Sequence, residues 1–280
     1  MKTTFVMSLL TLLGLLSPLS GQKETAPVQW IQLFNGRNLD GWTVKITKHA
    51  AGENFGRTFR VENGILTVNY DQYQGFDGQF GHLYYNRPFS AYLIAVEYRF
   101  VGEKLKDGPG FADRNSGVML HSQAAASLGF DQDFPISLEM QFLGGDGQEV
   151  RPTSNLCTPG TNVVYRGRLS TEHCFESTSK TYHGSRWVRA EALVLGDSLV
   201  RHYVEGEPVL AYEKPQIGGT NVANYDPALK IDGQPLRKGY VALQSESQPI
   251  EFRKVELIDL SPAMNNPAQL RRVLERLRRN

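Results

Sequence analysis

The chain has 280 residues, of which 40% are hydrophobic and 21% charged, and its formal net charge is +1. This length and composition suit one large domain or two small ones, with a core that needs neither a metal nor a disulfide to form. The balanced charge gives no indication of a nucleic-acid partner, since such proteins carry a positive field.

The N-terminal residues have the pattern of a secretory signal. Lys2 precedes an apolar run over residues 5–16, and residues 17–22 supply small side chains for cleavage. The apolar run is too short for a membrane span. We therefore expect residues 1–21 to be a signal peptide and the mature protein to be exported.

Short alternating segments follow one another through residues 28–260. Phe59–Glu62 and Ile65–Val68 flank Asn63-Gly64, a dipeptide typical of tight hairpins. Further strands are predicted over residues 91–101, 115–121, 137–143, 186–195, 198–212, 239–244 and 251–260. With no long helical pattern between them, they predict an all-β sandwich or jelly roll of two antiparallel sheets.

Two of these strands carry polar side chains on one face. Apolar residues alternate with Glu139 and Gln141 in one strand, and His121 points away from the expected core in the other. A half-buried sheet with His, Glu and Gln on its open face is typical of a sugar-binding or sugar-cleaving cleft. His121 is interpreted equally well as an acid or base and as a structural residue.

The two cysteines, Cys157 and Cys174, lie in the first of two irregular stretches, residues 144–180 and 215–238. Long loops in a compact β domain are usually functional or ordered by cross-links. Export and an even cysteine count favour a disulfide, worth about 3 kcal/mol in the chain-entropy model. Two cysteines alone do not make a zinc site.

Other polar residues lie in loops or at strand ends where they could line the same cleft. They are Arg114, Lys180, Tyr182, His183, Gln244 and Glu246. For Lys180 and its neighbours, a loop with a packed Tyr182 is the simpler interpretation. Trp42 could stack on a sugar ring, although a core position is simpler. His202 could face either the core or the cleft.

Residues 261–280 are predicted to form a tail or a short helix. Leu270, Val273, Leu274 and Leu277 recur at helical spacing among several arginines. The apolar stripe is short, so a helix packed on the domain is favoured over one that binds a membrane or a partner.

The number of carboxylates on the Glu139 strand helps to choose between ordinary glycoside hydrolysis and a reaction with a single base. Ordinary glycoside hydrolysis needs two carboxylates at a defined separation. Gln141 and Gly144 occupy the positions on the Glu139 strand where further carboxylates would follow. An ordinary glycosidase is therefore disfavoured, whereas a single Glu suffices as a general base or a binder of sugar hydroxyls.

Several segments occur in the order seen in a known family. They are residues 33–42 (LFNGRNLDGW), 115–118 (NSGV), 138–141 (LEMQ), Trp187 with the strand after it, 239–244 (GYVALQ) and 251–255 (EFRKV). No single segment is specific, but the ordered set, over residues 28–260, resembles the 3-keto-disaccharide hydrolase family. The resemblance implies a concanavalin A-like jelly roll and an exported, usually bacterial protein, secreted or periplasmic. It also implies cleavage of glycosides already oxidised to a ketone at sugar carbon 3, and an upstream sugar 3-oxidoreductase as a pathway partner.

The implied reaction needs one base. The ketone acidifies the hydrogen on carbon 2, the glycosidic oxygen leaves carbon 1 by β-elimination, and water adds back. We expect Glu139 or His121 as the base, with Lys180, Arg114 or Gln141 stabilising the developing charge on oxygen. The residues establish no cofactor, and a divalent metal that stabilises the same charge stays open as an alternative, although no strong calcium loop is present. The alternative function is a non-catalytic carbohydrate-binding module of the same fold.

Overall fold

The computed structural model describes residues 29–277, so the expected signal peptide lies outside the described residues. The described part is built from strands, five short 3-10 helices and one C-terminal helix. The strands are β1 (Ile31–Gln32), β2 (Trp42–Ile46), β3 (Phe59–Glu62), β4 (Ile65–Val68), β5 (Gly81–Tyr85), β6 (Ala91–Phe100), β7 (Asn115–Ser122), β8 (Leu138–Leu143), β9 (Asn155–Cys157), β10 (Thr161–Tyr165), β11 (Arg168–Ser170), β12 (Cys174–Phe175), β13 (Val188–Leu195), β14 (Leu199–Val204), β15 (Glu207–Ile217), β16 (Tyr240–Ser245) and β17 (Ile250–Asp259). The 3-10 helices are Phe55–Arg57, Gly110–Ala112, Ala125–Ser127, Pro227–Leu229 and Ser261–Ala263, and α1 is Pro267–Leu277.

The strands form two antiparallel sheets, which confirms the predicted all-β sandwich. The ten-stranded sheet has the order β11-β10-β15-β14-β13-β6-β17-β4-β3, with β1 paired to β17. The seven-stranded sheet has the order β12-β9-β8-β7-β16-β5-β2. Neighbours in these orders come from distant parts of the chain, so the open face of the smaller sheet brings together residues far apart in sequence.

The core lies between the two sheets and follows the alternation of the sequence. Tyr92, Tyr98 and other residues of the same parity in β6 belong to the main buried cluster. Tyr98 stacks on Phe142 of β8 with ring centroids 4.0 Å apart. Because strand side chains alternate between faces, Glu139 and Gln141 of β8 are left on the opposite, open face.

Several local predictions are confirmed. Asn63 and Gly64 both have positive φ, 51° and 80°, as a two-residue hairpin turn requires. Trp42 is buried and donates from Nε1 to the Leu33 carbonyl at 2.9 Å, so it is a core residue. The C-terminal helix packs Leu270, Val273 and Leu274 against the outer face of the ten-stranded sheet. Within residues 29–277, no helix is long and apolar enough to cross a membrane.

The stretch 144–180 differs from its prediction, because it contains four short strands, β9 to β12, and not only irregular chain. The predicted disulfide joins two of them. Cys157 of β9 pairs directly with Cys174 of β12, and their sulfurs are bonded. These strands extend both sheets at one edge, so this segment builds part of the open face.

Candidate active site

A cleft of about 700 Å³ lies on the open face of the seven-stranded sheet. Its floor is made of alternate side chains of adjacent strands: Asn115 of β7, Glu139, Gln141 and Leu143 of β8, Cys157 of β9 and Cys174 of β12. The register pairs Glu139 with Cys157 and Leu143 with Asn115. A cleft of this volume accommodates a small-molecule ligand.

Loops form the two ends of the cleft. Asp133 and Phe134 precede β8 and meet residues 221–223, with Asp133 Oδ1 accepting from the Ala223 N–H at 2.8 Å. At the other end of β8 lie Phe111, which precedes β7, and Arg151. Both ends therefore belong to segments that are distant in sequence.

Arg151 is held firmly in place. Its Nη1 donates to the Gly144 carbonyl at 2.7 Å, and its Nη2 donates to the Asp113 carbonyl at 2.8 Å. The guanidinium is always charged and has five N–H donors, so donors remain for a ligand. Arg151 places a fixed positive charge at this end of the cleft.

Glu139 is buried, with 6% of its surface exposed, and it lies against Gly117 of the neighbouring strand. A Cβ atom on Gly117 would lie 2.7 Å from Glu139 Oε1 and 3.1 Å from the Met140 carbonyl oxygen. Gly117 is in a strand and has no positive φ, so the backbone conformation does not require glycine here. Glycine is needed at this position because it leaves space for the Glu139 side chain. The absence of a side chain there allows the Glu139 carboxyl to approach β7.

A second carboxyl reaches the cleft from β16. Glu246 directly follows that strand, lines the cleft and is 3% exposed. Burial raises the pKa of Glu139 to about 8, and burial together with the charge of Glu139 raises the pKa of Glu246 well above its ordinary value. Two such carboxyls do not both ionise at neutral pH, so the pair retains a proton.

Polar atoms around this pair have spare hydrogen-bonding capacity. Among residues 29–277, Asn115 Oδ1 and Glu246 Oε2 are buried and have no hydrogen-bond partner. Asn115 donates from Nδ2 to the Phe111 carbonyl at 3.0 Å, while Gln141 Oε1 accepts from Asn155 Nδ2 at 3.3 Å. Buried polar groups without partners are destabilising, which is typical of a site that binds a polar ligand.

The structure brings three of the predicted polar residues together in the cleft, namely Glu139, Gln141 and Glu246. Gln244 lies on β16, paired with His82 of β5, and is almost fully covered. Neither amide atom of Gln244 has a partner within the described residues. Gln244 therefore lies in the same sheet beside the cleft but does not line it.

The orientation predicted for His121 is wrong. His121 has a positive φ of 49°, and the pairing of β16 with β7 changes register between Tyr240 and Ala242. Such an irregularity turns a side chain to the opposite face. The His121 ring packs edge-on against Tyr92 of the core, its Nε2 lies 3.1 Å from the Gly196 carbonyl oxygen, and burial lowers its pKa to about 4.

The other predicted residues also lie away from the cleft. Tyr182 is buried in the main core, with Lys180 Nζ 5.2 Å from its ring centroid. His183 is exposed and accepts from the Gly147 N–H through Nδ1, and Arg114 reaches the Gly184 carbonyl at 3.5 Å. The simpler interpretation, a loop with a packed Tyr, therefore agrees with the structure.

His202 lies in the core as well. It is fully buried, with Nδ1 2.9 Å from the Ser154 carbonyl oxygen and Nε2 3.1 Å from the Tyr212 hydroxyl. Burial lowers its pKa to about 4, so it is neutral at physiological pH. Its role is structural.

Phe111, Asp133, Arg151 and His173 are among the cleft residues that the prediction missed. Two of them, Arg151 and His173, lie in the irregular stretch 144–180. The length of that stretch indicated a functional loop, so polar residues within it could have been added to the candidates. His173 comes within 4.8 Å of both cysteine sulfurs, and burial lowers its pKa. Because the sulfurs are joined in a disulfide, they offer no thiolates to a metal.

The two antiparallel sheets and the polar cleft on one open face define the class of protein as a jelly-roll β-sandwich with a candidate site on its smaller sheet. The chain belongs to the 3-keto-disaccharide hydrolase family, because residues 29–258 match its 3-keto-alpha-glucoside-1,2-lyase-like domain. The family resemblance noted from the sequence is thereby confirmed. No curated protein matches the chain.

Several solved structures are similar to this chain. A candidate glycosyl hydrolase from Parabacteroides distasonis ATCC 8503 is 18% identical with a TM-score of 0.50, over 82% of this chain and 94% of that chain. A beta-glucanase from Bacillus licheniformis is 11% identical with a TM-score of 0.44, over 84% and 99%. The carbohydrate binding module CBM66 from Bacillus subtilis is 10% identical with a TM-score of 0.38, over 82% and 94%. At 18% identity, the likeness to the first of these structures shows the fold alone.

Proposed function

We propose that this protein is an exported enzyme that cleaves the glycosidic bond of 3-keto-glycosides by base-catalysed β-elimination, followed by hydration. The observation that carries the proposal is the buried pair of Glu139 and Glu246 in the cleft, with raised pKa values. Family membership supports the 3-keto substrate.

The two carboxyls take opposite roles. Glu139 ionises first and, as carboxylate, removes the proton from carbon 2 of the keto-sugar. Glu246 keeps its proton because of burial and the neighbouring charge, and it donates that proton to the glycosidic oxygen as the bond to carbon 1 breaks. Glu139 then holds one proton, Glu246 is ionised, and the sugar carries a carbon 1–carbon 2 double bond. Addition of water to that bond gives the keto-sugar and returns both carboxyls to their starting states.

Gln141, two positions from Glu139 on the cleft floor, stabilises the negative charge that develops on the carbon 3 oxygen. Of the three residues expected in this role from the sequence, Lys180 and Arg114 lie outside the cleft. One hydrogen-bond donor to a developing oxyanion is worth about 3 kcal/mol. Asn115, on the cleft floor, binds a sugar hydroxyl.

Glu246 also supplies the second carboxylate that an ordinary glycosidase needs, so hydrolysis of unmodified glycosides is the second candidate. A carbohydrate-binding module has no use for a buried carboxyl pair, whose burial opposes folding. The pair therefore favours an enzyme over a binding module.

The test is NMR of the purified protein mixed with a disaccharide and, separately, with its 3-keto derivative. We expect only the 3-keto compound to be consumed, with and without a chelator. Consumption of the unmodified disaccharide would identify an ordinary glycosidase. Line broadening of the unmodified sugar without turnover of either compound would indicate a binding module, and loss of activity with chelator would indicate a metal.

Export and the pathway partner belong to the same proposal. The signal-like residues 1–21 support secretion or a periplasmic location. A 3-keto substrate requires an enzyme that oxidises the sugar at carbon 3 beforehand. The mass of the protein recovered from the periplasm or the medium tests the export, because it falls when the signal peptide is removed.

A further inference from the structure

Phe111 is an exposed aromatic residue in the cleft. Its side chain is 60% exposed although it lies in the short 3-10 helix Gly110–Ala112 and lines the cleft end next to Arg151. Small-molecule sites are lined mainly by apolar and aromatic side chains with a few polar groups among them, so an exposed ring in the cleft lining is available to a ligand. Phe130, 61% exposed, is comparable in exposure but does not belong to the cleft lining.

The loop that carries Phe111 is fixed by two other residues of the cleft. Asn115 donates from Nδ2 to the Phe111 carbonyl at 3.0 Å, and Arg151 donates from Nη2 to the Asp113 carbonyl at 2.8 Å. Ala112, between them, is fully buried. The backbone that carries the aromatic ring is therefore restrained. Because this loop is already ordered, it loses less conformational entropy when a ligand binds.

The order of residues along the cleft decides what Phe111 would contact. Asn115 pairs with Leu143, which lies four positions beyond Glu139 on β8. At a rise of about 3.3 Å per residue, the backbone positions of Glu139 and Leu143 are about 13 Å apart. Glu246 follows β16, which runs antiparallel to β7 and pairs Leu243 with Val118, so Glu246 lies near the start of β7. The base, the acid and Phe111 therefore follow one another towards the same end.

We infer that Phe111 is the binding subsite for the leaving group, and that the substrates are 3-keto-glycosides whose leaving group is a ring with a flat apolar face. This inference rests on the proposed function, in which Glu246 protonates the departing oxygen. The departing ring then lies beyond Glu246, next to Phe111. The C–H face of a second sugar or an aromatic ring stacks on the phenyl ring, and the rigid backbone sets its position.

Two substrates separate this role from a structural one. Wild type and Phe111→Ala are assayed with a 3-keto-disaccharide and with the 3-keto methyl glycoside, which has no second ring. Loss of one aromatic contact of ~1.4 kcal/mol lowers kcat/KM for the disaccharide about tenfold, through KM, and leaves the methyl glycoside within about twofold. Phe111→Trp retains activity on the disaccharide. Phe130→Ala, the matched control for an exposed Phe outside the cleft, changes neither.

An equal loss on both substrates would overturn the subsite, because it would show a general effect on the site. A 3-keto aryl glycoside is assayed in the same way to distinguish a second sugar from an aromatic ring as the leaving group. The preferred ring belongs to the substrate whose kcat/KM falls more in Phe111→Ala. If wild type consumes no 3-keto substrate, the proposed function fails, and the subsite is judged by NMR titration with the unmodified disaccharide. Weaker binding by Phe111→Ala than by wild type supports the subsite, whereas equal binding, or none by wild type, overturns it.

Discussion

The outer surfaces of the two sheets differ in whether their carboxyl groups have basic partners. On the ten-stranded sheet, Glu97 has three basic partners: Arg189 at 3.2 Å, Lys254 at 3.6 Å and Arg253 at 2.5 Å. On the seven-stranded sheet, Glu246 is more deeply buried, and its Oε2 has no hydrogen-bond partner among the described residues. The same residue type is thus neutralised by partners on one surface and left without them on the other.

Under the proposed function, the ion-paired surface serves the stability of the fold, and the surface with the unpaired carboxyl serves the reaction. The ion pairs around Glu97 and Arg189 are partly exposed, and single pairs that water still reaches contribute little each. A buried carboxyl without a partner opposes folding, and it persists where it is needed for a reaction. Substitutions of matched residues on the two surfaces should therefore differ sharply in their effects.

The largest expected contrast is in turnover. Glu139→Gln removes the base from the cleft and should lower kcat on a 3-keto-disaccharide about 10³-fold, within the range of general base catalysis. Glu191→Gln, on the ten-stranded sheet where Glu191 pairs with Arg189 at 2.8 Å, should stay within about twofold of wild type. Steady-state kinetics with both variants makes the comparison, and near-wild-type turnover by Glu139→Gln would show that Glu139 is not the base.

A smaller effect is expected from the neighbour of Glu139. Gly117→Ala places a methyl group 2.7 Å from Glu139 Oε1, so the carboxyl must move away from β7. A displaced base lowers kcat, by about 10²-fold for a shift of about 1 Å. Gly110→Ala is the matched control, since an added Cβ there meets no atom of residues 29–277 within 4 Å.

For these glycine variants, kcat is measured together with the pH profile and the thermal unfolding curve. Gly117→Ala should shift the pH profile while the protein stays folded at the assay temperature. If kcat falls for both variants equally, or if Gly117→Ala unfolds the protein, the carboxyl is not what Gly117 accommodates.

The sequence predicted the parts of the site that depend on local alternation, and it did not predict the parts that depend on pairing between strands far apart in the chain. Alternation is local, so the sequence placed Glu139 and Gln141 on one face of β8 correctly. The pairing of β16 with β7 and β5 is not local, so the sequence placed Glu246 only as a candidate for the cleft and could not derive its charge interaction with Glu139. The absence of a second carboxylate on the Glu139 strand was correct, but it did not exclude one supplied by another strand.

Two further failures have distinct physical causes. His121 follows the alternation in sequence, but the register change opposite Tyr240 and Ala242 turns it towards the core, and no local pattern marks that change. Arg151 is positioned by carbonyls of Gly144 and Asp113, so its place depends on where two loops meet. The family resemblance supplied the class of chemistry but did not identify these side chains.

The smallest contrast is in stability, and its sign follows from the pKa shifts. Burial raises the pKa of Glu139 from 4.5 to about 8, so over that interval the folded protein holds protons that the unfolded chain releases. The free energy of unfolding therefore falls as the pH rises through this interval, and Glu246 acts in the same direction. The Glu139→Gln variant has no carboxyl to ionise at this position, so its free energy of unfolding should fall less steeply with pH. Urea unfolding of wild type and variant at about pH 5 and about pH 8 measures the two slopes.

The buried histidines provide an internal control for this measurement. Burial lowers the pKa of His82 to about 3 and that of His202 to about 4, so both are protonated on unfolding in acid and destabilise the fold below their ordinary pKa of 6.5. Because the Glu139→Gln substitution leaves these residues unchanged, the two stability profiles should run parallel below about pH 4.5, and their slopes should differ between about pH 4.5 and about pH 8. Identical slopes in wild type and variant between about pH 4.5 and about pH 8 would mean that Glu139 is already ionised in the folded protein over this interval, which contradicts the raised pKa of its carboxyl.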